Sequence, residues 1–396
     1  MSWANEPLGA LCEIQNGFAF QSRDYVEEGA RVIRIGNVQK GEIVDKGPKF
    51  IPMEQLDEYG RFQIAEGDIL ISLTGDVGRV GRFPASMLPA LLNQRVGRVT
   101  EIKEKDISID FLFYVLNSDW FESLVIDSAE GAAQKNSSTK KIKSIEIPLP
   151  PLPEQQRIVG KLDAAFAALG EAQALVERNR ANARELFESY LNGVFERKGD
   201  GWENLPLEDL ARFIDYRGRT PDKTSSGLRL ITAKNVKMGH LQRQPEEFVA
   251  PESYAEWMTR GIPEYGDVLF TTEAPLANVA QLDTRERVVF AQRIIILQPK
   301  KQLIDQTFLK YALLSGSMQK DILAKGTGAT VSGIKASLLK KIKVSFPSIP
   351  EQQRLVAALD EMTDRSKHLE TTYQQKLSEL AVLKKGLLGA AFRGEL

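Results

Sequence analysis

The pentapeptide Pro153-Glu154-Gln155-Gln156-Arg157 recurs later in the chain as Pro350-Glu351-Gln352-Gln353-Arg354. At the same offset the sequence aligns with itself without a gap from Gly131/Gly328 to Phe195/Phe392. Further matches continue upstream in the same order, at slightly drifting offsets: Ile33/Ile231, Asn37/Asn235, Gly41/Gly239, Asp68/Asp267 and Gln94-Arg95/Gln292-Arg293. An ordered series of this length predicts a tandem duplication.

The same order of segments is predicted in each half. Short β-like runs, such as Asp68-Ile-Leu-Ile-Ser and Val268-Leu-Phe-Thr-Thr, come first, with a short helix around Ile109–Ser118 or Gln306–Ser315. A Pro-rich hinge then leads into a long segment without proline. We therefore predict an α+β protein with two β-rich α/β domains, each followed by a long helix, in an internal repeat. The predicted ranges are 1–149 and 199–346 for the domains, and 150–198 and 347–396 for the hinges with their helices.

Both long helices are predicted to begin at the repeated pentapeptide. Proline in the first turn of a helix loses no hydrogen bond, and glutamate there favours the positive end of the helix dipole. Seam positions then alternate at spacings of four and three. In the first helix they are Ile158, Leu162, Ala165, Leu169, Ala172, Val176, Asn179, Ala183, Leu186 and Tyr190, and in the second Leu355, Leu359, Met362, Ser366, Leu369, Tyr373, Lys376, Leu380, Leu383 and Leu387. Sustained heptads favour a coiled coil between the two helices. The alternative is that each helix packs separately on its own domain.

Composition and charge exclude several classes of protein. The 396 residues include 52 Lys and Arg against 53 Asp and Glu, so bulk positive charge cannot hold the chain on nucleic acid, although local basic surfaces can. The single cysteine, Cys12, excludes a disulfide framework, and the two distant histidines, His240 and His368, exclude a His-rich metal site. The amino terminus lacks the pattern of a signal peptide, and no apolar run reaches the length of a membrane span. We therefore expect a cytoplasmic protein.

The usual catalytic motifs are missing from the sequence. It has no phosphate-binding loop, no Asn/Asp-Pro-Pro-aromatic motif of an adenine methyltransferase and no common nuclease motif. The evenly spaced glycines of Gly75-Asp-Val-Gly78-Arg-Val-Gly81 are more typical of turns and a bulge between strands than of a nucleotide-binding loop. We therefore predict that the chain carries no catalytic residue and no metal ligand.

The duplicated layout resembles the specificity subunit of type I restriction–modification systems over essentially the whole chain. The resemblance rests on Pro151-Leu-Pro-Glu-Gln-Gln-Arg-Ile-Val159 and its repeat, and on the segments Gly67-Asp-Ile-Leu-Ile-Ser72 and Asn93-Gln-Arg95. It implies two target-recognition domains separated by two long antiparallel helices in a pseudo-twofold internal repeat. These domains would read a bipartite, asymmetric site on double-stranded DNA, one half-site per domain. It also implies that the subunit is not an enzyme on its own and holds no cofactor.

The same resemblance implies protein partners. Two modification subunits would dock along the helices, each with S-adenosylmethionine to methylate an adenine, and restriction subunits that use ATP and Mg would add to that core. The candidate partner-binding residues are Glu154, Gln155, Arg157, Glu351, Gln352 and Arg354. Because the chain is nearly neutral and phosphate contacts dominate affinity for DNA, we expect the partners to supply many of these contacts. A helix of roughly 40 residues spans about 60 Å, which suits two domains on separate grooves of one duplex.

The duplication separates candidate base readers from scaffold residues. Residues shared by both halves cannot distinguish two different half-sites, so the shared polar residues are predicted to be scaffold or phosphate contacts: Asn37, Gln94, Arg95, Asn235, Gln292 and Arg293. Base readers are expected in three loop segments that diverge between the halves and carry hydrogen-bond donors. These candidates are Gln15, Asn16, Arg23, Thr74, Arg79, Arg82, Lys135, Asn136, Ser137, Lys140, Tyr216, Arg217, Arg219, Lys223, Asn278, Ser332 and Lys335. The alternative is that the segments are ordinary solvated loops.

Two other classes of function compete with a DNA-recognition subunit, and the first, a standalone enzyme, is strongly disfavoured. A standalone enzyme would need catalytic motifs that the sequence lacks. A non-catalytic coiled-coil scaffold, whose two domains bind some other ligand and do not read DNA sequence, would have the same layout. Gel shifts with and without a modification subunit would separate this scaffold from the specificity subunit.

Overall fold

The structure is a computed structural model that describes residues 3–129, 136–218, 220–291, 293–327 and 333–396. The chain divides into two compact units, which we call unit 1 (Met1–Val176 with Gln375–Leu396) and unit 2 (Glu177–Gln374). Each long helix therefore contributes to both units. The four ranges predicted from the sequence instead place each long helix, with its hinge, in a segment of its own. These ranges stay a prediction.

Unit 1 contains two mixed sheets with helices packed beside them. Its strands are β1 (Ala4–Pro7), β2 (Glu13–Asn16), β3 (Ala30–Ile33), β4 (Gly41–Glu42), β5 (Phe50–Ile51), β6 (Gln63–Ile64), β7 (Ile69–Ser72), β8 (Val80–Arg82), β9 (Ala90–Leu92), β10 (Val96–Thr100) and β11 (Glu146–Leu149). Its helices are α1 (Leu8–Leu11), α2 (Ile109–Leu116), α3 (Asp119–Ser128), α4 (Thr139–Lys143) and the first part of α5 (Leu152–Glu196). The sheets have the orders β2-β10-β7-β8-β4 and β5-β3-β9-β6, and β1 pairs with β11.

Unit 2 repeats this arrangement. Its strands are β12 (Glu203–Pro206), β13 (Ala211–Asp215), β14 (Lys223–Thr224), β15 (Leu228–Ile231), β16 (Val236–Lys237), β17 (His240–Leu241), β18 (Glu247–Val249), β19 (Val268–Thr271), β20 (Val279–Gln281), β21 (Val288–Phe290), β22 (Ile294–Pro299) and β23 (Lys343–Phe346). Its helices are α6 (Leu207–Leu210), α7 (Tyr254–Trp257), α8 (Gln306–Leu314), α9 (Gly316–Ala324), α10 (Ala336–Lys340) and part of α11 (Ile349–Phe392). The main sheets have the orders β13-β22-β19-β20 and β14-β18-β15-β21. The chain is therefore an α+β protein with an internal repeat, as predicted.

The short helices α2 and α8 begin where the sequence predicts them. Ser108 caps α2 by accepting a hydrogen bond from the Phe111 N–H, and Asp305 caps α8 by accepting one from the Phe308 N–H. Phe111 and Phe308 are fully buried in the cores of their units. A polar cap directly before an apolar run therefore fixes each helix start against the sheet.

In each unit the two long helices contact each other, which favours the coiled-coil prediction over separate packing. In unit 2, Arg184 makes a two-pronged ion pair with Glu370 at 2.7 and 3.1 Å, and the Ser366 hydroxyl donates to the Ala183 carbonyl at 3.1 Å. In unit 1 the Lys384 ammonium of α11 lies 5.2 Å from the centre of the Phe166 ring of α5, and the Phe392 ring of α11 lies 5.7 Å from the Phe111 ring of α2. The helices thus pack on each other and on the domain.

The predicted heptad seam is correct along most of α5 but shifts near its end. Ile158, Leu162 and Ala183 are buried as predicted, whereas Leu186 and Tyr190 are 58% and 39% exposed. At that end of α5 the buried residues are Leu191, which directly follows the predicted Tyr190, and Phe195, which lies four residues later. The reason is that a straight helix repeats every 3.6 residues, so a strict seven-residue pattern drifts around it where the helix packs on a globular core.

The second long helix shows the same drift. Leu369 and Leu383, predicted in the seam of α11, are 37% and 51% exposed, and Lys376 is exposed as well. Leu388 is buried in the core of unit 1, beside the half-buried Leu387 that the heptad pattern selects.

Candidate functional site

The loop segments predicted to carry base readers converge in unit 1, beyond the ends of β7 and β10. The Leu73 N–H donates to the Arg95 carbonyl at 3.0 Å, and the Ser137 N–H donates to the Leu73 carbonyl at 2.9 Å. Thr74 forms a β-bridge with Asn136. We call residues 16–18, 73–79, 93–95 and 136–140 loop cluster 1. Backbone hydrogen bonds between these segments hold the cluster together.

The turn at residues 93–95 also binds the end of the first segment, residues 16–18. The Phe18 N–H donates to the Leu92 carbonyl at 2.8 Å, and the Gln94 N–H donates to the Phe18 carbonyl at 2.8 Å. Gln94 and Arg95 are exposed. All three sequence segments predicted to diverge between the halves thus meet in one place with the shared Gln94-Arg95 turn.

Unit 2 builds the same cluster on the same backbone contacts. The Thr272 N–H donates to the Arg293 carbonyl at 2.8 Å, the Ile334 N–H donates to the Thr272 carbonyl at 2.9 Å, and Glu273 forms a β-bridge with Gly333. We call residues 215–218, 272–278, 293 and 333–335 loop cluster 2. The backbone contacts are similar enough to compare the clusters position by position. Glu273 is the equivalent of Thr74, and Gly333 is the equivalent of Asn136.

Loop cluster 2 forms a cationic pocket of about 470 Å³. Arg217, Arg293 and Lys335 line it together with Glu273. The Arg217 guanidinium makes two hydrogen bonds to the Asp215 carboxylate at 2.9 and 2.7 Å, and Arg293 Nε lies 2.9 Å from Glu273 Oε1. Each arginine is thus oriented by a carboxylate. Planar guanidinium forks held in this way are suited to recognising paired acceptors.

The Asp215 carboxylate responds to this pairing. Its burial would raise the pKa, but the side-chain and backbone hydrogen bonds from Arg217 outweigh burial and lower the pKa of Asp215 below its usual value. Asp215 is therefore ionised at neutral pH and holds Arg217 in one orientation.

At the positions equivalent to Glu273 and Gly333 of this pocket, loop cluster 1 presents the neutral side chains of Thr74 and Asn136. The Thr74 hydroxyl donates to Asn136 Oδ1 at 2.6 Å, which orients the exposed Asn136 amide. Arg79 is held between Asp76 Oδ2 at 3.0 Å and Gln39 Oε1 at 3.2 Å. Lys140 is exposed on α4. The two clusters share their backbone and differ in the groups that they offer to a ligand.

Four predicted base readers are buried or half-buried and make contacts within their own unit. Ser137 and Tyr216 are buried, and the Tyr216 hydroxyl donates to the Gly261 carbonyl at 2.7 Å. Gln15 is tied by its amide to the Arg61 carbonyl, and Asn278 donates from its side chain to the Val236 carbonyl. Because Ser137 and Tyr216 are buried, they are corrected to scaffold residues, whereas Gln15 and Asn278 are half-buried and stay predictions.

Arg82 was also predicted as a reader and lies elsewhere. It pairs with Ile69, at the end of β7 far from loop cluster 1. Its guanidinium donates to Asp110 Oδ1 at 2.8 Å and lies 4.6 Å from the centre of the Phe113 ring, both on α2. Arg82 therefore fastens β8 to α2.

The remaining polar candidates are exposed. Asn16 ends β2 within loop cluster 1. Arg23 has a side chain that is 80% exposed, and Lys223 forms an ion pair with Glu247 at 2.8 Å. Lys135, Arg219, Gln292 and Ser332 lie outside the described residues.

Two of the shared polar residues are scaffold. The Asn37 amide accepts from the Arg34 N–H at 2.9 Å and donates to the Val44 and Lys46 carbonyls. Asn235 repeats the pattern, accepting from the Thr232 N–H and donating to the Pro245 carbonyl. Arg95 and Arg293, by contrast, are exposed in the loop clusters, where phosphate contact is compatible with their position.

The repeated pentapeptide combines a buried and an exposed side. Gln155 is fully buried, accepting from the Ser108 N–H at 2.8 Å and donating to the Asp106 and Pro150 carbonyls at 3.0 and 2.8 Å. Gln352 makes the equivalent three bonds in unit 2. Their assignment as partner-binding residues is therefore corrected: with every polar atom paired internally, they join the long helix to the loop before α2 or α8.

The exposed side of the pentapeptide carries a duplicated ion pair. Arg157 makes two hydrogen bonds to Glu154 at 2.7 Å, and Arg354 makes the same pair with Glu351 at 2.8 and 2.6 Å. These four side chains stay candidates for partner contact.

One residue of loop cluster 1 was missed by the sequence argument. Phe18 is 37% exposed although it is a large aromatic residue. The available signal was the apolar Phe18-Ala19-Phe20 run within an otherwise polar loop, which a search for hydrogen-bond donors passes over. Among the described residues, no helix is long and apolar enough to cross a membrane.

Comparison with known proteins identifies the family. The family model for the type I restriction modification DNA specificity domain matches residues 2–176 and 199–379. The EcoBI specificity subunit of Escherichia coli is 23% identical, over 100% of this chain and 86% of its own, and the MjaVIII specificity subunit of Methanocaldococcus jannaschii is 32% identical over 40% of this chain and 38% of its own.

Solved structures show the same fold. The HsdS subunit of Thermoanaerobacter tengcongensis superposes with a TM-score of 0.59 at 20% identity, covering 100% of this chain and 97% of its own. A chain from a study of assembly and conformational transition in the type I restriction–modification system has a TM-score of 0.76 at 20% identity, with 100% and 98% covered. With two matched segments that together span most of its length, this chain belongs to the family of type I restriction modification DNA specificity domains.

Proposed function

We propose that this chain gives a type I restriction–modification complex its DNA sequence specificity, with each unit reading one half of a bipartite, asymmetric site. The observation that carries the proposal is the pair of loop clusters. Equivalent backbone contacts hold both clusters, whereas their side chains differ, with Thr74 and Asn136 in one and Glu273 and Gly333 in the other. Two equivalent backbone arrangements that present different side chains are suited to recognising two different DNA sequences.

The chemistry of loop cluster 2 favours guanine in the second half-site. A guanidinium fork donates two hydrogen bonds to O6 and N7 of guanine, and such a pair discriminates against other bases by about 1–3 kcal/mol. Arg217 already has its orientation fixed by Asp215. Less side-chain entropy is therefore lost when it contacts a base. Loop cluster 1 offers the Asn136 amide, a group that pairs with adenine.

The long helices supply the surface for other subunits. The ion pairs Glu154–Arg157 and Glu351–Arg354 are exposed and occur once in each half. Equivalent surfaces call for equivalent partners, so we propose that two modification subunits dock here, each bringing S-adenosylmethionine to an adenine of the site. Restriction subunits that use ATP and Mg would complete the complex. Because the net charge of this chain is −1, these partners would supply many of the phosphate contacts.

The chain itself has the role of a non-catalytic subunit, as specificity subunits of this family do. Methylation sequencing of the host genome, with the gene present and deleted, tests the proposed function. We expect one bipartite motif to lose adenine methylation on deletion and to regain it on complementation. Loss of methylation at no motif, or at an undivided motif, would contradict the proposal.

A further inference from the structure

The same backbone position carries an aromatic ring in unit 1 and a guanidinium in unit 2. Strand β2 ends at Asn16 and β13 ends at Asp215, each paired with the equivalent position of its neighbouring strand. The residue two places later is Phe18 in loop cluster 1 and Arg217 in loop cluster 2. Arg217 lines the cationic pocket. Phe18 therefore occupies the place at which unit 2 presents a candidate base reader.

The Phe18 ring is held firmly although it is partly open to solvent. The rings of Phe20, Tyr59 and Phe62 lie with their centroids 5.1, 5.0 and 5.5 Å from its own. With 37% of the residue exposed, Phe18 remains accessible to a ligand. An ordered side chain loses little conformational entropy when a ligand contacts it.

Exposed arginines accompany this ring. The Arg61 guanidinium lies 6.0 Å from the centre of the Phe62 ring. Arg95 follows Gln94, whose N–H is bonded to the Phe18 carbonyl. Arginines suit phosphate oxygens, and an apolar ring beside them needs an apolar group on the DNA. In the major groove, the apolar group of a base-pair edge is the C5-methyl of thymine.

We infer that Phe18 contacts the C5-methyl group of a thymine in the half-site read by unit 1, and that this apolar contact replaces the hydrogen-bonding contact of Arg217 in unit 2. The inference rests on the proposed function, because it assigns a specificity determinant within the same DNA-binding site. At this one equivalent backbone position, unit 1 would make an apolar contact with a base and unit 2 a hydrogen-bonding contact.

Replacement of thymine by uracil tests the contact, because it removes only the methyl group. The full chain is purified with its modification subunits, and its affinity is measured for duplexes in which each thymine of the first half-site is replaced in turn. We expect one replacement to weaken binding about fourfold, the effect of losing one buried methyl group. Phe18→Ala should bind the thymine and uracil duplexes equally, and Phe18→Leu should retain part of the difference.

Trp120→Ala is the matched control, because Trp120 is a similarly exposed aromatic residue of unit 1 outside the loop cluster. It should keep the full uracil effect. The inference is overturned if no replacement of thymine by uracil weakens DNA binding by the wild-type chain. It is equally overturned if Phe18→Ala retains the full loss of affinity for the uracil duplex. The ring could instead insert between two bases and unstack them, which would also overturn the inference. In that case Phe18→Ala abolishes the unstacking, measured by 2-aminopurine fluorescence, and leaves the uracil effect unchanged. A wild-type complex that does not distinguish its site from a scrambled duplex would instead contradict the proposed function itself.

Discussion

The side-chain amide of Gln155 donates a hydrogen bond to the backbone carbonyl of Asp106 at 3.0 Å, joining the start of α5 to the loop before α2. Gln155→Leu removes this bond and leaves buried backbone groups unsatisfied. We expect the free energy of unfolding to fall by about 1–3 kcal/mol, measured by urea titration of the full chain. The exposed neighbour Gln156 is the control, and Gln156→Leu should change it by no more than about 0.5 kcal/mol. Equal effects of the two substitutions would contradict a bonding role for Gln155.

Arg217→Gln should alter the second half-site alone. A lost base contact changes affinity at one base pair, by about 1–3 kcal/mol, whereas a lost phosphate contact weakens all sequences alike. Binding of the assembled complex to a panel of single-base variants measures the difference. Arg243→Gln, at an exposed arginine of unit 2 outside the loop cluster, should leave the panel unchanged. Uniform weakening by Arg217→Gln would assign Arg217 to the DNA backbone.

Charge reversal at Arg157 together with Arg354 should weaken assembly with the modification subunits. Each substitution places a second carboxylate beside Glu154 or Glu351, so the duplicated ion pairs become repulsive. Co-purification measures assembly, and circular dichroism checks that the chain stays folded. Arg243→Glu is the control for charge reversal away from the long helices. Wild-type yields of both partners with the double variant would show that they dock elsewhere.

Asp267 should make unit 2 less stable as the pH rises from about 4 towards neutrality. Burial, opposed by a hydrogen bond from the Glu264 N–H, raises the pKa of Asp267 to about 6. A carboxyl group with a raised pKa stabilises the folded state below its unfolded pKa, and this contribution is lost as the pH rises through about 6. The shift corresponds to roughly 3 kcal/mol.

Urea unfolding of the full chain between pH 4 and 7 measures this contribution. Asp267→Asn should flatten the pH dependence over that range, whereas Asp209→Asn, at an exposed residue of unit 2, should leave it unchanged. The same slope in wild-type and Asp267→Asn would show that another group is responsible.

Lengthening both long helices should widen the gap between the half-sites. Seven residues inserted after Val176 and seven after Gln374, where the chain passes between the units, preserve the heptad period. They add about 10 Å to each helix, which corresponds to about three base pairs of duplex. Methylation sequencing should show both half-site sequences with a longer gap. An unchanged gap would show that the helices do not set the spacing, and four-residue insertions, which rotate the seam, should damage folding more.

Much of the fold follows from local signals in the sequence. The start of α8 follows from Asp305 before an apolar run, and the long helices follow from a repeated pentapeptide at their first turn. The exposure of Leu186 does not follow in the same way. Sequence periodicity describes one seam, whereas near its end α5 packs on a globular core whose position is a tertiary property.

The candidate site was predictable as a set of segments and less so as a set of side chains. Three diverging segments do converge in each unit, but Ser137 and Tyr216 are buried within them. A hydroxyl group in a loop gives no indication of which way it faces. Phe18 was missed for the opposite reason, because a search for donors does not consider apolar contacts.

The loop clusters are held by main-chain bonds, such as that from the Leu73 N–H to the Arg95 carbonyl. Any amino acid except proline supplies the N–H groups of such bonds, so replacing an exposed side chain there leaves the frame intact. Exposed substitutions of this kind usually change stability by less than about 0.5 kcal/mol. On the proposed function, mutations in the loop clusters that alter the DNA sequence recognised would be nearly neutral for folding, and selection could act on them for their effect on recognition alone.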